Sequence, residues 1–300
     1  MRRFQNLEEY RQSKLFTAST GSAITLGKFD GIHTGHVRLI REITEYANTQ
    51  GLFSIVFTIE MNDGFLLTHE ERASFLSYLG VDVLLECPFS KKLKNLLPEE
   101  FAKEVLSNTL HARYTAVGTD FSFGKNRVGD AGTLQSLGES FGFRTRILEK
   151  EQYAGEDVSS TRIRDAVADG NMELACALLG RPYPVMGIVR HGRHIGTSLG
   201  YPTVNLALEE GKILPPDGVY ASLVSLPDGS EKKGLTNIGI RPTVGGRIRR
   251  AETTLLDFHS DLYGEQIRLE LLKFIRPETK FAGLDELKAQ ISRDLDMAWG

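Results

Sequence analysis

Gly27-Lys28-Phe29-Asp30-Gly31-Ile32-His33-Thr34-Gly35-His36 stands directly after the short apolar run Ala23–Leu26 and opens a segment in which Val37, Ile40, Ile43 and Ala47 share one helical face. Strand, glycine-rich loop and helix in that order begin an alternating pattern, and the pattern continues. Leu52–Phe57 reads as a buried strand, Glu70–Leu79 as a helix, Val81–Leu85 as a strand, Glu99–Leu110 as a helix, and Thr115–Val117 as another strand entering Gly118. Strands separated by helices predict a parallel sheet with helices on both faces. Ligands of such sheets sit beyond the carboxyl ends of the strands, so Gly27–His36, Gly118–Gly124 and the segment before Arg162 are the candidate ligand loops.

His33 and His36, three apart at a helix start, can point toward one anion while free backbone N–H groups add positive potential. The same pair also suits ordinary capping or core packing. Gly27, Gly31 and Gly35 are four apart and match neither GxGxxG nor the GxxxxGK[ST] phosphate loop. Asp120, in Gly118-Thr119-Asp120-Phe121-Ser122-Phe123-Gly124, can accept from a ribose or adenine donor, or stand in a plain turn with Phe121 and Phe123 packed inward. Ser159-Ser160-Thr161-Arg162-Ile163-Arg164 offers hydroxyls at a helix start beside two guanidinium forks; a capped helix with surface arginines explains it nearly as well.

Met172–Leu179 reads as a short helix ending at Gly180, and Gly180-Arg181-Pro182-Tyr183-Pro184 is the expected domain boundary. Beyond it, Val185–Val189, Val219–Leu223, Gly234–Ile238, Glu252–Phe258 and Ile267–Phe274 are short strands between Gly, Pro and Asp turns, followed by a helix over Leu284–Leu295. That spacing predicts a small antiparallel barrel with a C-terminal helix. In Gly200-Tyr201-Pro202-Thr203-Val204-Asn205 an extended backbone puts Thr203 and Asn205 on one face, and oxygen ligands of that kind help place Mg²⁺ beside nucleotide phosphates. Glu252 suits acceptance of a proton from a substrate hydroxyl, or a position on the barrel rim.

The 300 residues favour two domains, and 41% apolar with 25% charged residues gives a globular composition. A net charge of −3 argues against a chain built to hold nucleic acid. No apolar run approaches the roughly 18 residues of a membrane span, and Cys87 and Cys176 are too few for a disulfide scaffold or zinc cluster. A cytoplasmic enzyme is the expectation, with no nucleic acid or membrane partner.

Taken together these strings resemble the bacterial bifunctional riboflavin kinase/FAD synthetase family. The resemblance runs from about Ala23 to Met297 and includes Leu179-Gly180-Arg181-Pro182-Tyr183, Asn237-Ile238-Gly239-Ile240-Arg241-Pro242-Thr243, Leu256-Asp257-Phe258 and Asp261-Leu262-Tyr263-Gly264. It implies an α/β chain: a Rossmann-like HxGH nucleotidyltransferase domain over residues 1–183 that adenylylates FMN, and a riboflavin kinase β-barrel with a C-terminal helix over 184–300. His33 and His36 would contact the ATP phosphates, with Ser160, Thr161 and Arg164 holding them from the other side. Asp120 would lie near the nucleotide, along the Gly27, Lys28, Phe29, Asp30 and Gly31 loop. In the kinase, Gly200, Pro202, Thr203 and Asn205 match the nucleotide positions, Thr203 and Asn205 also the Mg²⁺ positions, and Glu252 the general base. The Asn237–Thr243 loop and the segment near Arg276 would shape the nucleotide and flavin pockets. ATP, riboflavin, FMN and FAD are the implied substrates and products; the alternatives are a single active half, or a flavin-binding regulator without catalysis.

Three positions depart from the family pattern. Phe57-Thr58-Ile59-Glu60-Met61-Asn62 replaces a string close to Thr-Phe-x-Pro-His-Pro, Lys28 stands where many members carry Asn, and Thr197 where Arg is frequent.

Overall fold

Six parallel strands are laid out in the order β1-β4-β3-β2-β5-β6: β1 (Arg2–Phe4), β2 (Ser22–Gly27), β3 (Phe53–Ile59), β4 (Val83–Cys87), β5 (Ala112–Gly118) and β6 (Arg144–Leu148). The computed structural model describes residues 1–13, 20–59, 64–88, 90–190, 203–243, 246–258 and 260–300, with backbone only for 241–243 and 246–248. Glu60 to Asn62, Thr197, Gly200 and Pro202 therefore lie outside the described residues. β4 is buried at every position and β2 at all but its last, as expected of a parallel sheet with no solvent face. From the central β2 the sheet runs one way through β3 and β4 and the other way through β5 and β6. The reversal between β2 and β5 is a switch point of the kind where α/β sheets bind ligands; the loops after Gly27 and Gly118 leave from it.

The helices of this part are α1 (Leu7–Gln12), α2 (Thr34–Gln50), α3 (His69–Tyr78) and α4 (Ala131–Phe141), with α2 packed on β2, β3 and β5. The helix expected over Glu99–Leu110 is one α turn, Pro98–Glu100, followed by a π-helical stretch, Phe101–Ser107. Wide-turn bonds from Asn108 N–H to the Lys103 carbonyl (2.8 Å) and from Leu110 N–H to Val105 (2.9 Å) keep Phe101, Ala102, Val105 and Leu106 buried together.

By packing, the chain divides into Met1–Asp63 with Arg72–Val158, and Gly64–Glu71 with Ser159–Gly300. The break thus falls after Val158, ahead of the Gly180–Pro184 punctuation. Its cause is that α5 (Ser160–Ala168) packs on α6 (Met172–Leu179), and α6 packs on the barrel. The barrel closes in the order β7-β8-β11-β10-β9-β12 from β7 (Tyr183–Arg190), β8 (Thr203–Ala207), β9 (Gly218–Ser225), β10 (Glu231–Thr243), β11 (Gly246–Leu255) and β12 (Gln266–Arg276). Helix α7 (Leu284–Trp299) follows. Asn237 to Thr243, expected as a loop, is strand. Glu252 sits inside β11 and not at its start.

Residues 64–71 are a strap belonging to the second unit. Phe65 N–H donates to the Gly211 carbonyl (2.9 Å), and the Ile213 N–H to the Phe65 carbonyl (3.0 Å). The Lys212 ammonium is buried and donates to the carbonyls of Leu66 (2.6 Å) and Pro184 (2.8 Å) and to Glu71 Oε2 (2.5 Å), which uses all three of its protons. Glu71 Oε1 accepts from the Met186 N–H at 2.7 Å. A buried charge so completely partnered is tolerated, but removing one partner strands the other. Lys212→Met is therefore expected to cost the second unit about 3–5 kcal/mol, read by urea unfolding through the fluorescence of Trp299, the single tryptophan. Adding Glu71→Gln should restore part of the loss; an unchanged midpoint for Lys212→Met would contradict this account.

Candidate active sites

The loop after β2 is built around two fully buried residues in the left-handed region, Phe29 (φ +43°) and Ile32 (φ +45°). Asp30 and Gly31 are buried between them, the Lys28 side chain is exposed, and the Lys28 carbonyl accepts the Thr58 hydroxyl at 2.9 Å, which fixes the turn to β3. His33 is the N-cap of α2: its Nδ1 accepts the N–H of His36 at 3.3 Å. A capping Nδ1 carries no proton, so the neutral His33 ring is the Nε2–H tautomer.

The His36 ring stacks on that of His33, with centroids 3.7 Å apart and planes at 22°, and lies 4.8 Å from the Phe29 ring. A Cβ at Gly35 would come within 3.3 Å of His33 Nδ1, so glycine there keeps the cap and the stack together. Burial first, and the neighbouring His33 second, hold the His36 pKa well below its ordinary value. No acidic residue stands in the first turn of α2, which leaves its positive end uncompensated. Two imidazole rings at that end suit phosphate oxygens.

Beyond β5, Thr119 N–H donates to the Leu148 carbonyl (3.1 Å) and Phe121 N–H to Gly118 (3.1 Å), leaving Asp120 exposed at the turn. Phe123 is buried as expected, whereas Phe121 is only half-buried and stacks on it at 5.5 Å. Lys150, which carries no motif signal, bridges Asp120 (3.3 Å) and Asp157 (3.2 Å); the hydrogen bonds to Asp157 and then Asp120 raise its pKa. Its neighbour Glu151 pairs with Arg38 of α2 at 2.5 Å. The expected phosphate residues Ser160, Thr161 and Arg164 lie in α5, in the second unit. Ser159 caps that helix by accepting from Arg162 N–H, and Arg164 donates to the Gly64 carbonyl at 2.8 Å.

In the barrel, strand register brings together residues far apart in sequence. Asn205 pairs with Glu252 across β8 and β11, and Glu252 with Asn237 across β11 and β10, so the three form one row on one face. The Thr203 hydroxyl donates to Glu252 Oε1 at 3.2 Å, leaving its oxygen lone pairs open. Asn205 is buried and its Oδ1 has no hydrogen-bond partner. At the other end of the row Asn237 Nδ2 donates to Glu278 at 2.8 Å, a residue that sequence reasoning passed over. The Arg276 guanidinium grips the buried Asp294 of α7 at 2.8–2.9 Å and so anchors that helix.

Among the described residues no three His, Cys, Asp or Glu side chains converge as a metal cluster. Mg²⁺ beside nucleotide phosphates needs only one or two protein oxygens. The open Asn205 Oδ1 and the Thr203 hydroxyl fit that donor set.

A family model described as FAD synthetase matches residues 16–162, and one described as riboflavin kinase matches residues 179–299. The bifunctional riboflavin kinase/FMN adenylyltransferase of Escherichia coli (strain K12) is 38% identical over 284 residues, covering 91% of this chain and 90% of its own. This chain belongs to the bifunctional riboflavin kinase/FMN adenylyltransferase family. The Haemophilus influenzae family member is 34% identical over 93% of each chain. A crystal structure from Streptococcus pneumoniae, described as a macrolide-efflux protein, matches with a TM-score of 0.85 and 31% identity over 100% of this chain and 99% of its own. Among the described residues no helix is long and apolar enough to cross a membrane. The FAD synthetase match of this family member contains both sheet loops, and the riboflavin kinase match contains the Asn205-Glu252-Asn237 row.

The depressed His36 pKa has a stability consequence. Unfolded, the ring takes up a proton near pH 6.5; folded, it does so only well below. Stability from this group is therefore complete above that pH and falls as pH drops toward the folded value. Denaturant titrations between about pH 7.5 and 5.5 should show a shallower pH slope for His36→Gln than for the unsubstituted protein; equal slopes would refute the assignment.

Proposed function

We propose that the two sites act in sequence on one flavin, the barrel making FMN from riboflavin and ATP, and the sheet unit making FAD and pyrophosphate from FMN and a second ATP. What supports this reading is that each matched half holds its own reactive cluster: the stacked histidine pair at the start of α2, and the Asn205-Glu252-Asn237 row.

In adenylylation an FMN phosphate oxygen attacks the α-phosphorus of ATP in line, and the bond to the bridging oxygen of the β-phosphate breaks. The chain supplies no nucleophile, so its contribution is positioning and charge stabilisation. His33 and His36 stand at the positive end of α2, and exposed Lys28 adds a positive charge. Asp120, oriented by Lys150, accepts from the nucleoside. Gly27 to Gly31 form the floor of that loop.

In phosphorylation Glu252 accepts the proton of the ribityl 5′-hydroxyl as that oxygen bonds to the γ-phosphorus and ADP leaves. Thr203 and Asn205 would hold Mg²⁺, which when bound neutralises phosphate charge. The hydroxyl of Thr203 also holds Glu252 in place. Asn237, tied to Glu278, and Arg276, tied to Asp294, close the remaining wall, with Gly200 and Pro202 assigned to the nucleotide.

Single substitutions separate the two reactions. Glu252→Gln should slow riboflavin phosphorylation by roughly 100-fold or more and leave FAD formation from FMN within about twofold, as expected of a residue that belongs to the other unit. His36→Gln should do the reverse. A folded Glu252→Gln protein that loses both activities equally would overturn the assignment.

A further inference from the structure

We infer that Phe29 is a positioning residue for adenylyl transfer, its buried ring serving as the wall that fixes the His36 imidazole toward the reacting phosphates. The inference rests on the reading of the first unit as the adenylylating half, and it starts from a missing contact. A functional imidazole is normally oriented by a hydrogen bond on its second nitrogen, yet His36 Nδ1 is buried with no partner. Orientation then falls to the two rings beside it, His33 at 3.7 Å and Phe29 at 4.8 Å, the latter tilted by 50°.

The backbone points the same way. At φ +43° a glycine or asparagine would be the unstrained choice, whereas a phenylalanine must be held there by its surroundings. Its side chain has no exposed surface, so it acts through His36 and not by touching a ligand. Gly27 leaves the space: a Cβ there would come within 3.1 Å of the Phe29 ring edge. The Thr58 hydroxyl on the Lys28 carbonyl holds the same turn from β3. Ile32, also left-handed and buried, returns the chain so that His33 arrives at the cap.

The test uses the full chain with Phe29→Leu, which keeps an apolar side chain and removes the flat ring. Expected is a fall in kcat for FAD formation of about tenfold to a hundredfold, the scale of a sub-ångström to ångström misplacement. KM for ATP and FMN should move far less, riboflavin phosphorylation should stay unchanged, and the ¹⁵N imidazole signals of His36 should shift or broaden. Gly27→Ala keeps the ring but crowds its edge, and should give the same split; it decides the matter if Phe29→Leu does not fold. In a His36→Gln background Phe29→Leu should remove little more activity. Unchanged kcat with unchanged His36 signals in both variants, or a full multiplicative loss in the double variant, would overturn the inference. Failure of the unsubstituted protein to convert FMN and ATP into FAD would instead remove the underlying reading.

Discussion

Between Gly27 and Thr34 the chain must leave a buried parallel strand and enter a helix while keeping the free N–H groups of that helix open to an anion. A glycine turn would do this without strain. Here Phe29 and Ile32 take left-handed backbone angles instead, at roughly 1–3 kcal/mol each. Complete burial of a Phe or Ile side chain contributes about 1.5–3 kcal/mol, so packing offsets the strain. The turn is then fixed by its own core, and His33 and His36 inherit that rigidity: one ring caps the helix, the other stacks on it. Both rings stand at the start of α2, after the strand from which the strand order turns back between β2 and β5.

The barrel reaches a reactive arrangement by register alone. Asn205, Glu252 and Asn237 come from three strands and meet because the ladders align them. On the opposite face, Ser222, Thr236 and Thr253 share buried hydroxyl hydrogen bonds of 2.7 and 2.9 Å, which satisfy their polar groups inside the packed side. The polar groups of that face are spent on structure, whereas Asn205 Oδ1 is left open on the other. Glu71 and Lys212 tie the strap at residues 64–71 into this same unit, so the barrel unit draws on sequence from both halves of the chain.

Local signals were legible where burial was two-sided or chemistry was contiguous. β2 to β5 run apolar because no face of a central parallel strand meets water, and the His33 to His36 spacing falls within one helical turn. The edge strand β6, Arg144-Thr145-Arg146-Ile147-Leu148, is half exposed and carries two arginines, so no apolar run announces it. β10 reaches well past the expected Gly234–Ile238 at both ends, where Lys232 and Lys233 stand opposite Val224 and Leu223, and Gly239 and Ile240 opposite Arg250 and Arg249. The Lys212 to Glu71 pair, Asn237 to Glu278 and Lys150 to Asp120 join residues distant in sequence, and only the folded chain puts them within reach. Gly180 to Pro184 punctuate the entry to β7 in the sequence, whereas packing of α6 against β7 and β12 groups the chain from Ser159 onward with the barrel.

The central claim is that one chain carries two working centres that share a flavin. A chromatographic time course of riboflavin, FMN and FAD, begun from riboflavin with ATP and Mg²⁺ and in parallel from FMN, tests it most directly. The account predicts FMN rising before FAD in the first reaction and FAD forming directly in the second. FMN accumulating with no FAD, or FAD appearing only from supplied FMN, would contradict it and locate the silent half.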